Sequence, residues 1–125
     1  MPNSIILIVE DNAVCCKVIS TFIKSMGYTY FAVSCATEGL KILEQGKFDL
    51  ILLDINLPDM DGFEFTKTIR EKGISIPVIL CSAFSCKDNF MQDNLHVLHL
   101  KDCLTKPIDR EDLKYLIEQY IGPPK

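Results

Sequence analysis

Polar side chains stand directly after four of the five apolar runs in this sequence that favour β-strands. They are Glu10 and Asp11, Asp54, Ser82 and Lys106. The carboxyl ends of parallel strands meet along one edge of an open α/β sheet, where ligand sites form. We therefore expect three carboxylates, one hydroxyl and one amine to lie close together at that edge.

Such a cluster predicts phosphoryl transfer assisted by a metal ion. Three carboxylates held close together repel one another, so a cation is needed to keep all of them ionised. Oxygen ligands of this kind suit Mg²⁺, which retains several waters and binds phosphate groups. A carboxylate beside the ion could attack a phosphoryl group, while Lys106 pairs with the transferred charge and the Ser82 hydroxyl donates to it.

The elements that must position these residues alternate along the chain. Short apolar runs predict strands at residues 5–9, 28–33, 50–53, 77–81 and 103–105. Helical patterns follow them at 14–26, at 37–45, between Gly62 and Gly73, within 85–100 and after Asp109. This alternation is typical of an α/β fold whose parallel sheet is covered on both faces.

Apolar periodicity predicts which side of the first and last helices faces the core. In the first helix the predicted inner residues are Val14, Cys15, Val18, Ile19, Phe22 and Met26. In the last helix they are Leu113, Leu116, Ile117 and Tyr120, with Tyr115 opposite them. Asp109 is expected to cap the last helix at Asp112.

The composition limits the possible classes of protein. A chain of 125 residues with 48% hydrophobic side chains can form one domain with a real core. Its net charge of −4 argues against nucleic acid as a partner. The longest aliphatic run, Ile5–Val9, is far too short to span a membrane and lacks the basic start of a signal peptide, so we expect a cytoplasmic protein. The six cysteines are then expected to be free thiols, with a metal cluster or a disulfide framework as the alternatives.

Four stretches of the sequence together resemble the response-regulator receiver domain of two-component signal transduction. They are the segments 8–12 (IVEDN), 49–62 (DLILLDINLPDMDG), 77–83 (PVILCSA) and 104–108 (LTKPI). The resemblance covers essentially the full chain. It implies a flavodoxin-like fold, with five parallel strands in the order 2-1-3-4-5 and five helices, as one receiver domain over residues 1–125 with a core of about 4–121.

The resemblance implies a phosphoacceptor and a metal site. Asp54 would take the phosphoryl group. Asp11 and Asp54 would hold Mg²⁺ (or Mn²⁺) directly, the backbone carbonyl of Asn56 would be a third ligand, and Glu10 would act through a water molecule.

It also implies roles for the residues around that site. Ser82 and Lys106 would sense and stabilise the phosphoryl group, and the peptide bond before Pro107 would be cis. The side chains of Asn56 and Phe84 lie at the positions that tune the lifetime of the phosphoryl group in this family.

Two positions bear on how a signal would leave the site. Cys103 stands three residues before the lysine, where the family usually has the aromatic residue that couples phosphorylation to the output face. A cysteine is too small to act by the same movement, so we expect either another route of coupling or a shift through Ser82 alone, with a redox role of the thiol as a further alternative. Tyr115, exposed on the last helix, is a candidate for the surface that contacts a partner.

The function implied is a phosphorylation-activated switch that catalyses only its own phosphorylation and dephosphorylation. Its phosphodonor would be a sensor histidine kinase or a histidine phosphotransfer protein. Its output partner would be another molecule or a domain outside this chain. The alternatives are a docking module that is not phosphorylated, a haloacid-dehalogenase-type phosphatase and an FMN binder. Asn56 stands where that phosphatase needs a second acid, and Glu10 and Asp11 would repel the phosphate of FMN.

Overall fold

The computed structural model of the chain describes residues 4–83, 89–97, 100 and 102–122. The strands are β1 (Ile5–Val9), β2 (Thr29–Val33), β3 (Leu50–Asp54), β4 (Val78–Ser82) and β5 (Asp102–Thr105). The helices are α1 (Ala13–Ser25), α2 (Ala36–Gln45), α3 (Gly62–Glu71), α4 (Asn89–Val97) and α5 (Arg110–Ile121). Every strand pair is parallel and the order is β2-β1-β3-β4-β5, which confirms the expected fold.

The observed element boundaries lie within one or two residues of most of those predicted. β4 begins at Val78 because Pro77 has no N–H group to donate to a neighbouring strand, although its carbonyl accepts a hydrogen bond from Ile51. Gly27 and Gly73, predicted to end α1 and α3, have φ angles of 91° and 84°. These left-handed conformations favour glycine just beyond the end of a helix.

The sheet separates two hydrophobic clusters, because alternate residues of a strand point to opposite faces. In β1, Leu7 and Val9 belong to one cluster, while Ile6 and Ile8 belong to the other. Side chains of α2, α3 and α4 complete the first cluster, and those of α1 and α5 complete the second. The sheet is therefore covered on both faces, and its carboxyl edge is left to carry the polar residues.

The predicted inner face of α1 was wrong in part. Val14 is 75% exposed and Val18 is 39% exposed, while Ile19 and Ile23 are buried. Neighbouring residues point about 100° apart around a helix, so a face centred on Ile19 and Ile23 turns Val14 and Val18 towards the outside. The apolar residues of α1 cover more than one side of the helix, and sequence alone did not show which side packs on the sheet.

The prediction for α5 was confirmed. Leu113 and Ile117 are fully buried, and Tyr115 on the opposite side is 64% exposed. The carboxylate of Asp109 accepts a hydrogen bond from the backbone N–H of Asp112 at 3.0 Å, which caps the helix as expected.

β2 forms one edge of the sheet and is open to solvent. Four of its five residues are exposed, among them Tyr30 and Phe31. No charged residue occurs from Ser25 to Thr37. This edge is therefore both uncharged and partly aromatic.

Candidate functional site

The three acidic residues predicted to form one site do come together. Val9 of β1 is paired with Leu53 of β3, so the residues that follow these positions emerge side by side. Carboxylate oxygens of Glu10, Asp11 and Asp54 all lie within 4.8 Å of one another. Glu10 and Asp54 are buried, whereas Asp11 is exposed and leaves the group open to solvent on one side.

Lys106 reaches the same site from the end of β5. Its ammonium Nζ lies 2.7 Å from Glu10 Oε1 and 3.3 Å from Asp54 Oδ1. Its backbone N–H donates to the carbonyl of Ser82 at 2.6 Å, which ties the β5–α5 connection to the end of β4. The bond between Lys106 and Pro107 is cis, as the sequence resemblance implied.

Ser82 ends β4 next to the acidic cluster. Cys81 of β4 is paired with Asp54, and Ser82 is paired with Thr105, so the serine lies one residue beyond the level of Asp54. Ser82 is buried. Phe84, predicted to influence the lifetime of a phosphoryl group, lies outside the described residues.

Burial governs the electrostatics of the site. Burial raises the pKa of Glu10 to about 7. The hydrogen bond and the charge of Asp54 raise this pKa further, whereas the hydrogen bond to Lys106 lowers it. Burial alone would lower the pKa of Lys106, but the bond to Glu10 and the charges of Glu10 and Asp54 outweigh it and hold that pKa above its ordinary value. When ionised, three carboxylates and one ammonium leave a formal charge of −2. A divalent cation with a preference for oxygen ligands would neutralise it.

The loop between β3 and α3, residues 55–61, folds closely over the end of β3. The backbone N–H of Asn56 donates to Asp54 Oδ1 at 3.3 Å, and that of Gly62 donates to the carbonyl of Ile55 at 2.7 Å. Asn56 and Asp61 form an antiparallel bridge across the loop. A Cβ on Gly62 would lie 2.9 Å from the Asp54 carbonyl oxygen, so this close approach requires glycine. The backbone of Asn56 is thereby held next to Asp54.

Cys103 departs from the expectation of free thiols. Cys15, Cys16, Cys35 and Cys81 are free, but Cys103 is disulfide-bonded. Its half-buried side chain packs against the cluster that contains Leu7 and Val9. Pairing of this kind depends on the distance between residues in the fold, which the spacing of cysteines does not show. How the domain couples its site to an output face at this position stays a prediction.

Tyr115 lies beside an open cavity of about 370 Å³ at the β5 edge. The other residues that line it are Asp102, Leu116, Gln119 and Tyr120. The Tyr120 hydroxyl donates to Asp102 Oδ2 at 2.6 Å. Burial, and then this bond, raise the pKa of Tyr120, so the hydroxyl remains a donor at neutral pH. Sequence reasoning missed this contact, and the role of Tyr115 in binding a partner stays a prediction.

Sequence reasoning also missed Asp59. This residue lies in the loop 55–61, yet its carboxylate accepts hydrogen bonds from Ala36 and Thr37 at the start of α2. The only indication of this contact was indirect. The residue before α2, Cys35, provides no side-chain cap, so a cap had to come from another part of the chain.

The model of the response regulator receiver domain family matches residues 6–118. This chain belongs to that family. The receiver domain is 38% identical over 115 residues to the transcriptional regulatory protein CiaR of Streptococcus pneumoniae, an alignment that covers 90% of this chain and 49% of CiaR. It is 32% identical over 119 residues to the transcription factor SKN7 of Saccharomyces cerevisiae, covering 93% of this chain and 18% of SKN7. It is 27% identical over 118 residues to the sensor histidine kinase RcsC of Escherichia coli, covering 94% of this chain and 12% of RcsC.

Solved structures agree with this assignment. The receiver domain of the sensor histidine kinase PA1611 from Pseudomonas aeruginosa is 32% identical, with a TM-score of 0.83, and the match covers 97% of this chain and 99% of that one. That structure has a magnesium ion coordinated in its active-site cleft. The chemotaxis protein CheY4 of Vibrio cholerae is 22% identical with a TM-score of 0.88, covering 96% of this chain and 100% of that one, and so supports the fold.

The receiver domain spans less than half the length of CiaR, SKN7 and RcsC. In the described part of the chain, no helix has the length and apolar character that crossing a membrane requires.

Proposed function

We propose that this receiver domain is a phosphorylation-dependent switch that accepts a phosphoryl group on Asp54. One observation carries the proposal. The carboxylate of Asp54 is 6% exposed at the end of a central strand, with an ammonium 3.3 Å away and two further carboxylates within 4.8 Å. Buried groups with specific charged partners at the carboxyl edge of an α/β sheet are typical of functional sites.

The donor set fits Mg²⁺, and Mn²⁺ is an alternative with similar ligand preferences. Asp11 and Asp54 would hold the ion directly, with the backbone carbonyl of Asn56 as a further ligand and Glu10 acting through water. When bound, the cation supplies charge stabilisation to the phosphoryl oxygens. The magnesium ion in the active-site cleft of the PA1611 receiver domain supports the choice of Mg²⁺ as the ion.

Asp54 would act as the nucleophile. One of its carboxylate oxygens forms a bond to phosphorus as the bond from phosphorus to a donor histidine nitrogen breaks, and the histidine leaves with that electron pair. Lys106 holds its proton throughout, since its pKa is raised, and pairs with the negative charge that arrives. The Ser82 hydroxyl donates to a phosphoryl oxygen. Phosphoryl transfer needs little more than such positioning and charge stabilisation.

The phosphodonor would be a sensor histidine kinase or a histidine phosphotransfer protein. The relative RcsC is a sensor histidine kinase, and the similar PA1611 structure is the receiver domain of a sensor histidine kinase. The domain would catalyse only its own phosphorylation and dephosphorylation and act by changing the surface that an output partner binds. That partner, the cytoplasmic location and the lack of contact with nucleic acid remain predictions.

The test is to incubate the protein with a small phosphodonor and Mg²⁺ and to measure its intact mass. We expect the mass gain of one phosphoryl group, lost in Asp54→Asn and lost when a chelator removes the metal. Asp49→Asn is the matched control, because it makes the same substitution just before the start of β3, where Asp49 bonds to the backbone N–H of Ile5. A gain that persists in Asp54→Asn would contradict the assignment of this residue. No gain with any donor would favour a docking module that is not phosphorylated.

A further inference from the structure

We propose that Asp59 is a positioning residue for the metal site. Its carboxylate fastens the loop 55–61, which carries Asn56, to the first turn of α2. This inference rests on the proposed function, in which the Asn56 carbonyl is a metal ligand. Asp59 itself would not touch the ion.

The contact uses both oxygens of the carboxylate. Oδ1 accepts a hydrogen bond from the Ala36 backbone N–H at 2.9 Å. Oδ2 accepts from the Thr37 backbone N–H at 2.8 Å and from the Thr37 hydroxyl at 2.5 Å. The N-cap residue of α2, Cys35, makes no side-chain bond to the helix. Asp59 therefore supplies the cap that α2 lacks, from 23 residues further along the chain.

The charge of Asp59 suits this position. The free N–H groups at the start of a helix carry partial positive charge and favour an anion. The hydroxyl and backbone donors of Thr37, with the backbone donor of Ala36, lower the pKa of Asp59 to about 2. The carboxylate is therefore ionised at neutral pH and accepts all three hydrogen bonds.

The rest of the loop is held by other contacts. At its two ends, Ile55 accepts a hydrogen bond from Gly62, and Asn56 bridges to Asp61. Asp61 caps α3 by accepting from the Glu64 N–H at 2.8 Å. These contacts join the loop to β3 and α3, whereas Asp59 joins its middle to α2. Removing the Asp59 contact would leave these end contacts in place and release the middle of the loop. The carbonyl of Asn56 belongs to the peptide unit that leads into this middle, so it would be restrained from one side only, by the bridge to Asp61 and the bond to Asp54. Metal binding would then have to remove the added freedom of that carbonyl.

A second explanation would be that Asp59 attracts the cation through its charge alone. Thr37→Val separates the two, because it deletes the hydroxyl that donates to Asp59 and leaves every charge unchanged. Thr37 is exposed, so this substitution of similar size disturbs no core packing. Asp49→Asn removes a charge of the same sign at the amino ends of the strands, away from the site. Asp49 also accepts a backbone hydrogen bond there, from Ile5.

The experiment titrates Mg²⁺ into the wild type and the variants Asp59→Ala, Thr37→Val and Asp49→Asn by calorimetry, and measures phosphorylation at saturating Mg²⁺. Loss of an outer contact that orients a ligand typically weakens metal binding by 10-fold or more, so we expect roughly a 10-fold rise in Kd for Asp59→Ala. Thr37→Val should give a smaller rise in the same direction, and Asp49→Asn none. The phosphorylation rate at saturating Mg²⁺ should stay near the wild-type value in Asp49→Asn, whose carboxylate lies outside the site.

A residue that served only the stability of the fold would lower the denaturation midpoint and leave the Kd for Mg²⁺ unchanged. That result in Asp59→Ala would overturn the inference. So would a rise of the Kd for Mg²⁺ in Asp59→Ala with no rise in Thr37→Val, because the effect would then come from the charge of Asp59 alone. If the wild-type protein itself bound no Mg²⁺, the proposed function would fail rather than the role of Asp59 alone.

Discussion

Replacing Glu10 by glutamine measures the cost of burying an ionised carboxylate in the metal-free site. Glu10 is 3% exposed, and its pKa rises from 4.5 to about 7 mainly because burial removes the charged form from water. Glutamine has nearly the same shape and carries no titrating group. The difference in stability between Glu10→Gln and the wild type should therefore depend on pH.

The direction of this pH dependence follows from which state of the chain, folded or unfolded, binds the Glu10 proton more tightly. The folded protein holds the Glu10 proton up to about pH 7, whereas the unfolded chain releases it near pH 4.5. The penalty for ionising Glu10 in the fold is thus absent below pH 4.5, grows as the pH rises, and is complete above pH 7. Between pH 5.5 and pH 8 it grows by roughly 2 kcal/mol. Glu10→Gln avoids this penalty, so its stability relative to the wild type should rise by that amount.

The assay is urea denaturation at pH 5.5 and pH 8, with a chelator present to exclude divalent cations. The free energy of unfolding changes by about 1–3 kcal/mol per molar urea for small domains, so the expected difference in midpoint is roughly 1 M. Glu71→Gln is the matched control, since Glu71 is exposed near the end of α3. It removes one carboxylate that lies outside the site and so measures the effect of the substitution itself.

The reasoning would be refuted by a stability difference between Glu10→Gln and the wild type that is equal at pH 5.5 and pH 8. It would also fail if the difference became smaller at pH 8. An equal difference would mean that Lys106 fully compensates the burial of the Glu10 charge and its repulsion by Asp54. A smaller difference at pH 8 would mean that the contribution of Lys106 exceeds both.

Three further predictions concern stability and are checked by denaturation midpoints at neutral pH. Gly62→Ala should destabilise the fold by roughly 1–3 kcal/mol, because the added Cβ would meet backbone atoms at 2.9 Å. Gly46→Ala is the control, since a Cβ there would have no atom closer than 3.4 Å, and it should change the stability by less than about 1 kcal/mol. Tyr120→Phe should cost about 1–2 kcal/mol through loss of the 2.6 Å hydrogen bond to Asp102, and an unchanged midpoint would contradict that value. Leu113→Ala should cost about 2–5 kcal/mol, because the side chain is fully buried against the sheet, and a cost below 1 kcal/mol would show that the cluster refills the space.

The acidic site could be predicted from sequence because two simple rules agree there. Each strand that contributes to it is a buried apolar run that ends at a polar residue, as Leu53 is followed by Asp54. Parallel strands place such ends at one edge, so no side-chain contact had to be known in advance. The position of Lys106 followed from the second rule alone, because β5 is only partly buried and Lys106 comes after the exposed Thr105. The 2.7 Å contact between Lys106 and Glu10 could not be predicted.

The features that sequence reasoning missed depend on contacts between distant parts of the chain. Asp59 caps a helix that begins 23 residues before it, and Tyr120 bonds to Asp102 across 18 residues. Local patterns show a helix that lacks a cap, but not which residue supplies it. The inner face of α1 was misjudged for a related reason. Val14 and Ile19 are both apolar, and only the packing of the helix on the sheet decides which of them is buried.

The open edge at β2 affects how the protein behaves at high concentration. Natural sheet edges commonly carry lysine or proline, which discourage pairing with another chain, and residues 25–37 contain no charged residue and no proline. We therefore expect two copies to be kept apart mainly by the repulsion from the net charge of −4, which disappears near the isoelectric point of about 5.1. Acidic storage should thus cause aggregation that begins at Tyr30 and Phe31 while the fold itself is intact. The sequence of this edge thus predicts a colloidal stability that depends on the net charge of the domain rather than on the edge strand itself.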